Sequence, residues 1–74
     1  MSEYLIDLIW DSEAAVWIAS SDEISGLILE SGSLDALIER VKFAVTELLD
    51  LNHIIHSDPI RLCFRLEHHE VLTA

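Results

Sequence analysis

Four histidines are the side chains of this chain best suited to hold a metal ion: His53, His56, His68 and His69. A zinc site needs three or four nitrogen, sulfur or oxygen donors that converge on one point. His68 and His69 are neighbours at the end of a predicted strand, where successive side chains point to opposite faces. His53 and His56 lie with Asp58 in a predicted loop, and their spacing matches no recognised ligand motif. We therefore expect no metal and no other cofactor.

The only thiol that could act as a nucleophile is Cys63, the single cysteine of the chain. A single cysteine excludes an intrachain disulfide. No base lies in the motif around it, and the chain contains no Gly-x-Ser-x-Gly motif of the kind that presents a catalytic serine. The sequence therefore predicts a buried or interfacial thiol rather than a catalytic one.

The length and hydrophobicity of the chain favour self-association. Its 74 residues are enough for one domain, residues 1–74. A domain of this size buries only about 60% of the surface that its unfolded chain exposes. Yet 51% of the residues are hydrophobic and the mean hydropathy is +0.37. Because one thin layer cannot hide that much apolar surface, we expect a homo-oligomer, either a dimer or a tetramer.

The charge of the chain restricts its partners. Fourteen acidic residues against four Lys and Arg give a formal net charge of −10. Such a surface repels nucleic-acid phosphates and anionic lipids and attracts basic proteins. No apolar run approaches the ~20 residues of a membrane span, and the start Met-Ser-Glu lacks the basic region of a secretory leader. We expect a cytoplasmic protein that binds neither nucleic acid nor membrane directly.

The apolar periodicity predicts the element order β-β-β-α-β. Period-two alternation between turn signals places strands at residues 4–10, 15–20 and 27–30. Ser33 is a suitable N-cap, and Asp35 favours the first turn of a helix that ends near residues 51–52, where Asn52 tolerates a left-handed closing conformation. The predicted core stripe of this helix is Leu34, Leu37, Ile38, Val41, Val45 and Leu48. After a loop at 53–58, Pro59 opens a last strand, and residues 68–74 are expected to fray.

These elements predict an α+β fold with a single mixed sheet that one long helix covers on one face. The last strand should return parallel to the first by a right-handed crossover. The face expected under the helix is the more apolar set: Tyr4, Ile6, Leu8, Trp10, Ile60, Leu62, Phe64 and Leu66. The other face then carries Leu5, Ile9, Cys63 and either Trp17 or its strand neighbours, with Trp17 expected in the core or at a subunit interface. An uncovered apolar patch of this kind marks an interaction site.

Phe43 is a second candidate for an interface. It lies about 180° around the helix from Leu34, among the acidic residues Glu39, Glu47 and Asp50. One interpretation is a scattered exposed apolar residue, which is common on protein surfaces. The other is an aromatic anchor for a second subunit or a basic partner.

Several motifs resemble a small family of uncharacterised bacterial domains that is similar to the N-terminal domain of HicB antitoxins. The motifs are residues 10–19 (WDSEAAVWIA), Ser21-Asp22, Gly26-Leu27 and residues 47–52 (ELLDLN). The wider HicB pattern has Asp-x-Pro-Gly before the third strand and Gly-Thr before the helix. Asp22, Gly26 and Gly32-Ser33 match it in part. Ser25 and Thr46 stand where prolines are usual.

The resemblance implies a partial RNase H-like fold and a role in protein interaction. In HicB proteins the sheet domain oligomerises and masks HicA, a small basic toxin that cleaves mRNA. Many HicB proteins also carry a helix-turn-helix or ribbon-helix-helix domain for operator DNA. This sequence stops before such a segment, so operator binding is not expected. The function that the resemblance implies is a non-enzymatic, antitoxin-like interaction module.

An RNase H-like fold also directs attention to metal-binding carboxylates on its first strand, helix and last strand: Asp7, Glu39 or Glu47, and Glu67. At about 100° per residue, Glu39 and Glu47 each point about 140° away from Leu34, in opposite senses. Neither can therefore converge with Asp7 beneath the helix.

Asp7 could instead face Arg61 or Arg65 on the adjacent strand, in a cross-strand ion pair worth roughly 0.2–1 kcal/mol. A metal-dependent nuclease of RNase H type is therefore the alternative, ranked below the interaction module. A free-standing sensor of small ligands is a third hypothesis, for which the sequence shows no pocket signature.

Overall fold

Three antiparallel strands precede the helix and one parallel strand follows it. The computed structural model describes residues 2–54 and 59–73. The elements are β1 (Ser2–Asp11), β2 (Val16–Ser20), β3 (Ile28–Ser31), α1 (Leu34–Leu51) and β4 (Ile60–Glu67). The sheet order is β3-β2-β1-β4, with β4 parallel to β1 and the other neighbours antiparallel. The predicted α+β fold with one mixed sheet and one helix is confirmed.

The ends of α1 follow from local hydrogen bonds. Ser33 has an extended backbone, and its hydroxyl oxygen accepts a hydrogen bond from the Ala36 N–H at 3.2 Å, which satisfies one free donor of the first turn. The backbone N–H of Asn52 donates to the Leu48 carbonyl at 2.9 Å. The left-handed residue after the helix is His53, with φ of 59°, whereas Asn52 keeps a negative φ. The expected role of Asn52 as the left-handed residue is therefore wrong by one position.

The core lies between α1 and one face of the sheet. Its helical part consists of the buried residues Leu37, Val41, Val45 and Leu49. Its sheet part is centred on Ile6, Leu8 and Ala19. The half-buried side chains packed around it include Tyr4, Leu62 and Phe64. The sheet face that was predicted to lie under the helix, which carries Tyr4, Ile6 and Leu8, is therefore the face that α1 covers.

The connection between β2 and β3 contributes to the core, which the periodicity did not predict. Ile24 and Leu27 are both almost completely buried, and the Leu27 N–H donates to the Ile24 carbonyl at 3.3 Å. Gly26 between them has φ of +89°, a conformation that glycine adopts without steric cost. A Cβ there would lie 3.3 Å from Leu48 Cδ2. The connection thus adds two apolar side chains to the core beside the helix.

The same connection also satisfies backbone groups of β1 beyond the end of β2. The Leu5 N–H donates to Glu23 Oε1 at 2.6 Å, and the Ser21 hydroxyl donates to the Leu5 carbonyl at 2.8 Å. At Leu5, where β2 no longer pairs with β1, these two side chains therefore provide the hydrogen bonds that a neighbouring strand would otherwise make. Over the described part of the chain, no helix is long and apolar enough to cross a bilayer.

Candidate interaction surface

The face of the sheet turned away from α1 has no covering element in the described ranges, 2–54 and 59–73. We call it the open face. Its residues, given by the alternation and the strand register, are Glu3, Leu5, Asp7, Ile9, Asp11, Val16, Ile18, Ser20, Ile28, Glu30, Arg61, Cys63, Arg65 and Glu67. Ile9 is 41% exposed and Ile28 is 75% exposed. Large aliphatic groups therefore remain in contact with water on this face.

A single row of paired residues defines the centre of the open face. Ile9 on β1 pairs with Ile18 on β2, Ile18 pairs with Glu30 on β3, and Ile9 pairs with Glu67 on β4. Across the four strands, the row therefore reads carboxylate, isoleucine, isoleucine, carboxylate. An apolar centre between acidic ends fits a partner that presents apolar groups flanked by basic ones.

The neighbouring row contains an ion pair. Arg65 on β4 is the register partner of Asp7 on β1, and its Nε and Nη2 atoms lie 2.8 Å and 2.7 Å from Asp7 Oδ1. Of the two arginines that the sequence offered to Asp7, the structure selects Arg65. The Asp7 carboxylate is thereby held by its neighbouring strand.

The carboxylates considered for a nuclease site do not meet. Asp7 lies on the open face, whereas α1 packs against the opposite face of the sheet. Glu39 lies on the outer side of α1 with Lys42 Nζ at 2.9 Å from its Oε1, and Glu47 is exposed further along the helix. Glu67 also belongs to the open face and lies near His69 at 3.1 Å. The sheet separates Asp7 from both helical carboxylates.

The three histidines in the described residues do not form a metal site either. His53 follows the helix, and His69 lies beside Glu67. His56 and Asp58 lie outside the described residues. Within the parts of the chain that the structure describes, no group of three or more His, Cys, Asp or Glu side chains gathers as a metal site would require.

Trp17 lies on the helix-covered face, not on the open face. It pairs with Trp10, and the two ring centroids are 5.5 Å apart. Its strand neighbours Val16 and Ile18 take the positions on the open face, which is the other arrangement that the sequence allowed. The His68 ring packs against both tryptophans, 5.6 Å from Trp10 and 5.5 Å from Trp17. The expectation that the chain frays from residue 68 is therefore wrong for His68, which these two rings hold.

The remaining interface candidates are exposed. Cys63 lies on the open face and is exposed in the single chain, so of the two expectations for this thiol only the interfacial one remains. Phe43 is 75% exposed on the outer side of α1, where Glu39, Glu47 and Asp50 are exposed too. Their roles in binding, and that of Leu5 and Ile9, stay predictions.

The outer edge of β4 adds a feature that alternation alone did not reveal. β4 is an end strand of the sheet with eight residues. Between it and α1 lies a groove of about 160 Å³. The groove is lined by Lys42, Val45, Thr46, Ile60 and Leu62. Near the other end of the strand, Leu66 is 51% exposed. The strand thus offers both a partly apolar groove and a protruding leucine.

Comparisons with known proteins give a family but no activity. The family model described as "Domain of unknown function (DUF1902)" matches residues 3–73. A solved structure of a hypothetical protein, TTHA1013 from the extremely thermophilic bacterium Thermus thermophilus, matches with a TM-score of 0.77 and 35% sequence identity. That match covers 97% of this chain and 99% of the other. The comparison with curated proteins gave no match.

Proposed function

Since this chain belongs to the DUF1902 family of domains of unknown function, we propose a role for it from its surfaces: a non-enzymatic, oligomeric protein-interaction module. Its open face binds a small basic protein, in the manner of a HicB antitoxin that masks a HicA-type mRNA-cleaving toxin. The observation that carries the proposal is the row of Glu30, Ile18, Ile9 and Glu67 on a sheet face without a covering element among the described residues.

The apolar part of the row supports association. Full burial of an exposed isoleucine is worth about 1.5–3 kcal/mol. Ile9 and Ile28 keep much of their surface in water, so a partner that covers them gains part of that energy. The central position of Ile9 and Ile18 between acidic neighbours resembles the apolar core and polar rim of protein interfaces.

The charges support a basic partner in particular. A net charge of −10 attracts a cationic protein over distances of about a Debye length, ~8 Å at physiological salt. Glu30 and Glu67 then lie where arginines or lysines at the rim of that protein would pair with them. Complementary charge of this kind raises the association rate and selects among partners.

The resemblance to HicB supports the toxin class of partner. It covers residues 10–19, which contain Trp10, Trp17 and Ile18, and residues 47–52 at the end of α1. In HicB proteins a sheet domain of the same element order masks a toxin that is basic because it binds RNA. The open face of this chain is acidic, so it would attract a basic toxin in the same way.

The experiment is co-expression of the chain with a small basic protein, if the neighbouring reading frame encodes one, or otherwise with a HicA-type toxin, followed by a pull-down and an RNA-cleavage assay. We expect a stable complex in which an equimolar amount of this chain suppresses cleavage. Recovery of this chain without the basic protein would contradict the proposal.

A matched pair of variants tests the surface. Ile9→Lys places a cation in the centre of the open face and should weaken capture of the basic protein about tenfold or more, because charge complementarity and apolar burial are both lost. Ile54→Lys is the control: Ile54 is 39% exposed against 41% for Ile9 but lies just beyond the helix. Equal loss in both variants would refute binding through the open face.

A further inference from the structure

We propose that the module self-associates through β4, whose outer edge pairs with β4 of a second copy in antiparallel orientation about a two-fold axis at Phe64. This inference rests on the proposed function and names the surface through which it oligomerises. The product is a continuous eight-stranded sheet with both helices on the same side.

The two edges of the sheet differ in what they offer to another strand. β4 has eight residues without an internal proline or lysine, and Pro59 precedes it. β3 has only four residues, and the carbonyl of its Glu30 already accepts a hydrogen bond from Arg40 Nη1 at 2.9 Å. A long unpaired edge is a ready template for another strand. The β4 edge is therefore the one that a second copy can extend.

Symmetry limits the register of this pairing. A two-fold axis perpendicular to the sheet keeps both helices on the same side of the sheet. Residues that lie directly opposite each other in antiparallel strands point to the same face. The axis must therefore lie midway between one residue of β4 and the same residue of the second copy. Two registers pair seven residues of β4 with seven of the second copy, one centred on Cys63 and the other on Phe64.

Charge decides between the two registers. With the axis at Cys63, Arg61 faces Arg65 of the second copy, and symmetry repeats this repulsion. With the axis at Phe64, Arg61 faces Glu67 of the second copy, and symmetry repeats this attraction. Opposite charges directly across a sheet stabilise the pairing and like charges destabilise it. The Phe64 register is therefore the favoured one.

The helix side of the strand also fits this register. Leu62 then faces Leu66 of the second copy, and Phe64 faces its own symmetry mate. Leu62 lines the groove between β4 and α1, and Leu66 is 51% exposed in the single chain. Pairing therefore brings the protruding leucine of each copy to the groove of the other, where it loses its contact with water.

A charge exchange tests the register. Arg61→Glu and Glu67→Arg each place like charges at both symmetric positions, and the double variant restores the attraction with the net charge unchanged. By sedimentation velocity, we expect the wild type to dimerise, each single variant to dimerise about tenfold more weakly, and the double variant to return to about threefold of the wild type or better. Glu13→Arg, which changes the charge as Glu67→Arg does but lies exposed in the turn between β1 and β2, should dimerise as the wild type. A double variant as weak as the single ones would overturn the register.

Cross-linking gives a second readout that does not depend on charge. Directly opposed residues in antiparallel strands have Cα atoms about 4.5–5.5 Å apart, within the range that a disulfide spans. In a Cys63→Ser background, Arg61→Cys combined with Glu67→Cys should form covalent dimers on mild oxidation. The Phe64 register would be overturned if native Cys63 formed disulfide-linked dimers rapidly and the double-cysteine variant formed none.

The inference can fail without the proposed function failing. If Ile9→Lys dissociates the oligomer and the charge exchange leaves it unchanged, the copies meet through their open faces and the β4 inference is wrong. If the wild type stays monomeric at a concentration of about 100 µM, which corresponds to a binding free energy weaker than roughly 5.5 kcal/mol, the β4 inference is wrong as well. The RNA-cleavage assay with the basic protein still decides the proposed function in both cases.

Discussion

Arg65 holds Asp7 across the junction of β4 and β1, with two guanidinium nitrogens within 2.8 Å of one carboxylate oxygen. The two strands are parallel neighbours although 58 positions separate the residues in sequence. The ion pair therefore joins the first strand of the chain to the last.

A double-mutant cycle on this pair should show a small favourable coupling. We expect Asp7→Asn, Arg65→Gln and the double variant to give a coupling free energy of roughly 0.2–1 kcal/mol, since the pair is directly opposed on a sheet. The measurement is urea unfolding at one fixed protein concentration, because dimerisation would add to stability. Glu39 and Lys42 on the outer side of α1 provide an exposed reference pair, for which about 0.3–0.5 kcal/mol is typical. Zero coupling would show that Asp7 and Arg65 do not form the pair in solution.

The purified protein should not cleave nucleic acid. Asp7 lies on the open face, on the other side of the sheet from α1, so Asp7, Glu39 and Glu47 cannot hold one metal ion together. We expect RNA and DNA to remain intact after incubation with Mg²⁺ or Mn²⁺, as judged by gel electrophoresis. Cleavage that Asp7→Asn abolishes would reverse this conclusion and favour the nuclease hypothesis.

The two glycines should respond differently to alanine. Gly26→Ala should destabilise the fold by about 1–3 kcal/mol, because a residue with a Cβ is strained at φ of +89° and meets Leu48 at 3.3 Å. Gly32→Ala should change stability by about 0.5 kcal/mol or less, since its φ is not left-handed and its nearest contact is ordinary. The measurement is thermal unfolding, where 1 kcal/mol corresponds to about 4–8 °C. Equal effects would contradict the left-handed turn at Gly26.

The two neighbouring histidines should also differ. His68→Ala removes ring contacts with Trp10 and Trp17 and should cost about 0.5–1.5 kcal/mol. It should also shift tryptophan emission to longer wavelength as the indoles gain water. His69→Ala is the control, because its side chain is exposed and should contribute less than about 0.5 kcal/mol. An unchanged emission spectrum in His68→Ala would contradict the packing of the three rings.

The face that α1 covers could be predicted because both faces follow from period-two alternation. Ile6 and Leu8 share their parity with Trp10, so the three side chains were expected on one face of β1. The face of Trp17 could not be fixed in this way, because it depends on the register across the turn. Asp11 sets that turn by accepting from the Glu13 and Ala14 N–H groups, and Ala15 closes it with φ of 55°. A shift of one residue there would move Trp17 to the other face.

The residues that sequence reasoning missed lie where periodicity carries no information. Ile24 and Leu27 are buried in an irregular connection, where apolar residues follow neither the two-residue period of a strand nor the 3.6-residue period of a helix. Leu49 is buried beside the predicted Leu48, because the apolar stripe of α1 is wider than one line of residues. The β4 groove likewise depends on the position of the helix over the sheet, which no local pattern specifies.

The hydrogen bond from Arg40 to the Glu30 carbonyl bears on how far assembly proceeds. A sheet that grows at one border also presents its opposite border to further copies, which is the route to fibrils. Here that opposite border is β3, which has only four residues and whose Glu30 carbonyl is engaged by a cationic side chain from the helix. Polymerisation through β3 is thereby discouraged, so growth at β4 stops at a closed pair.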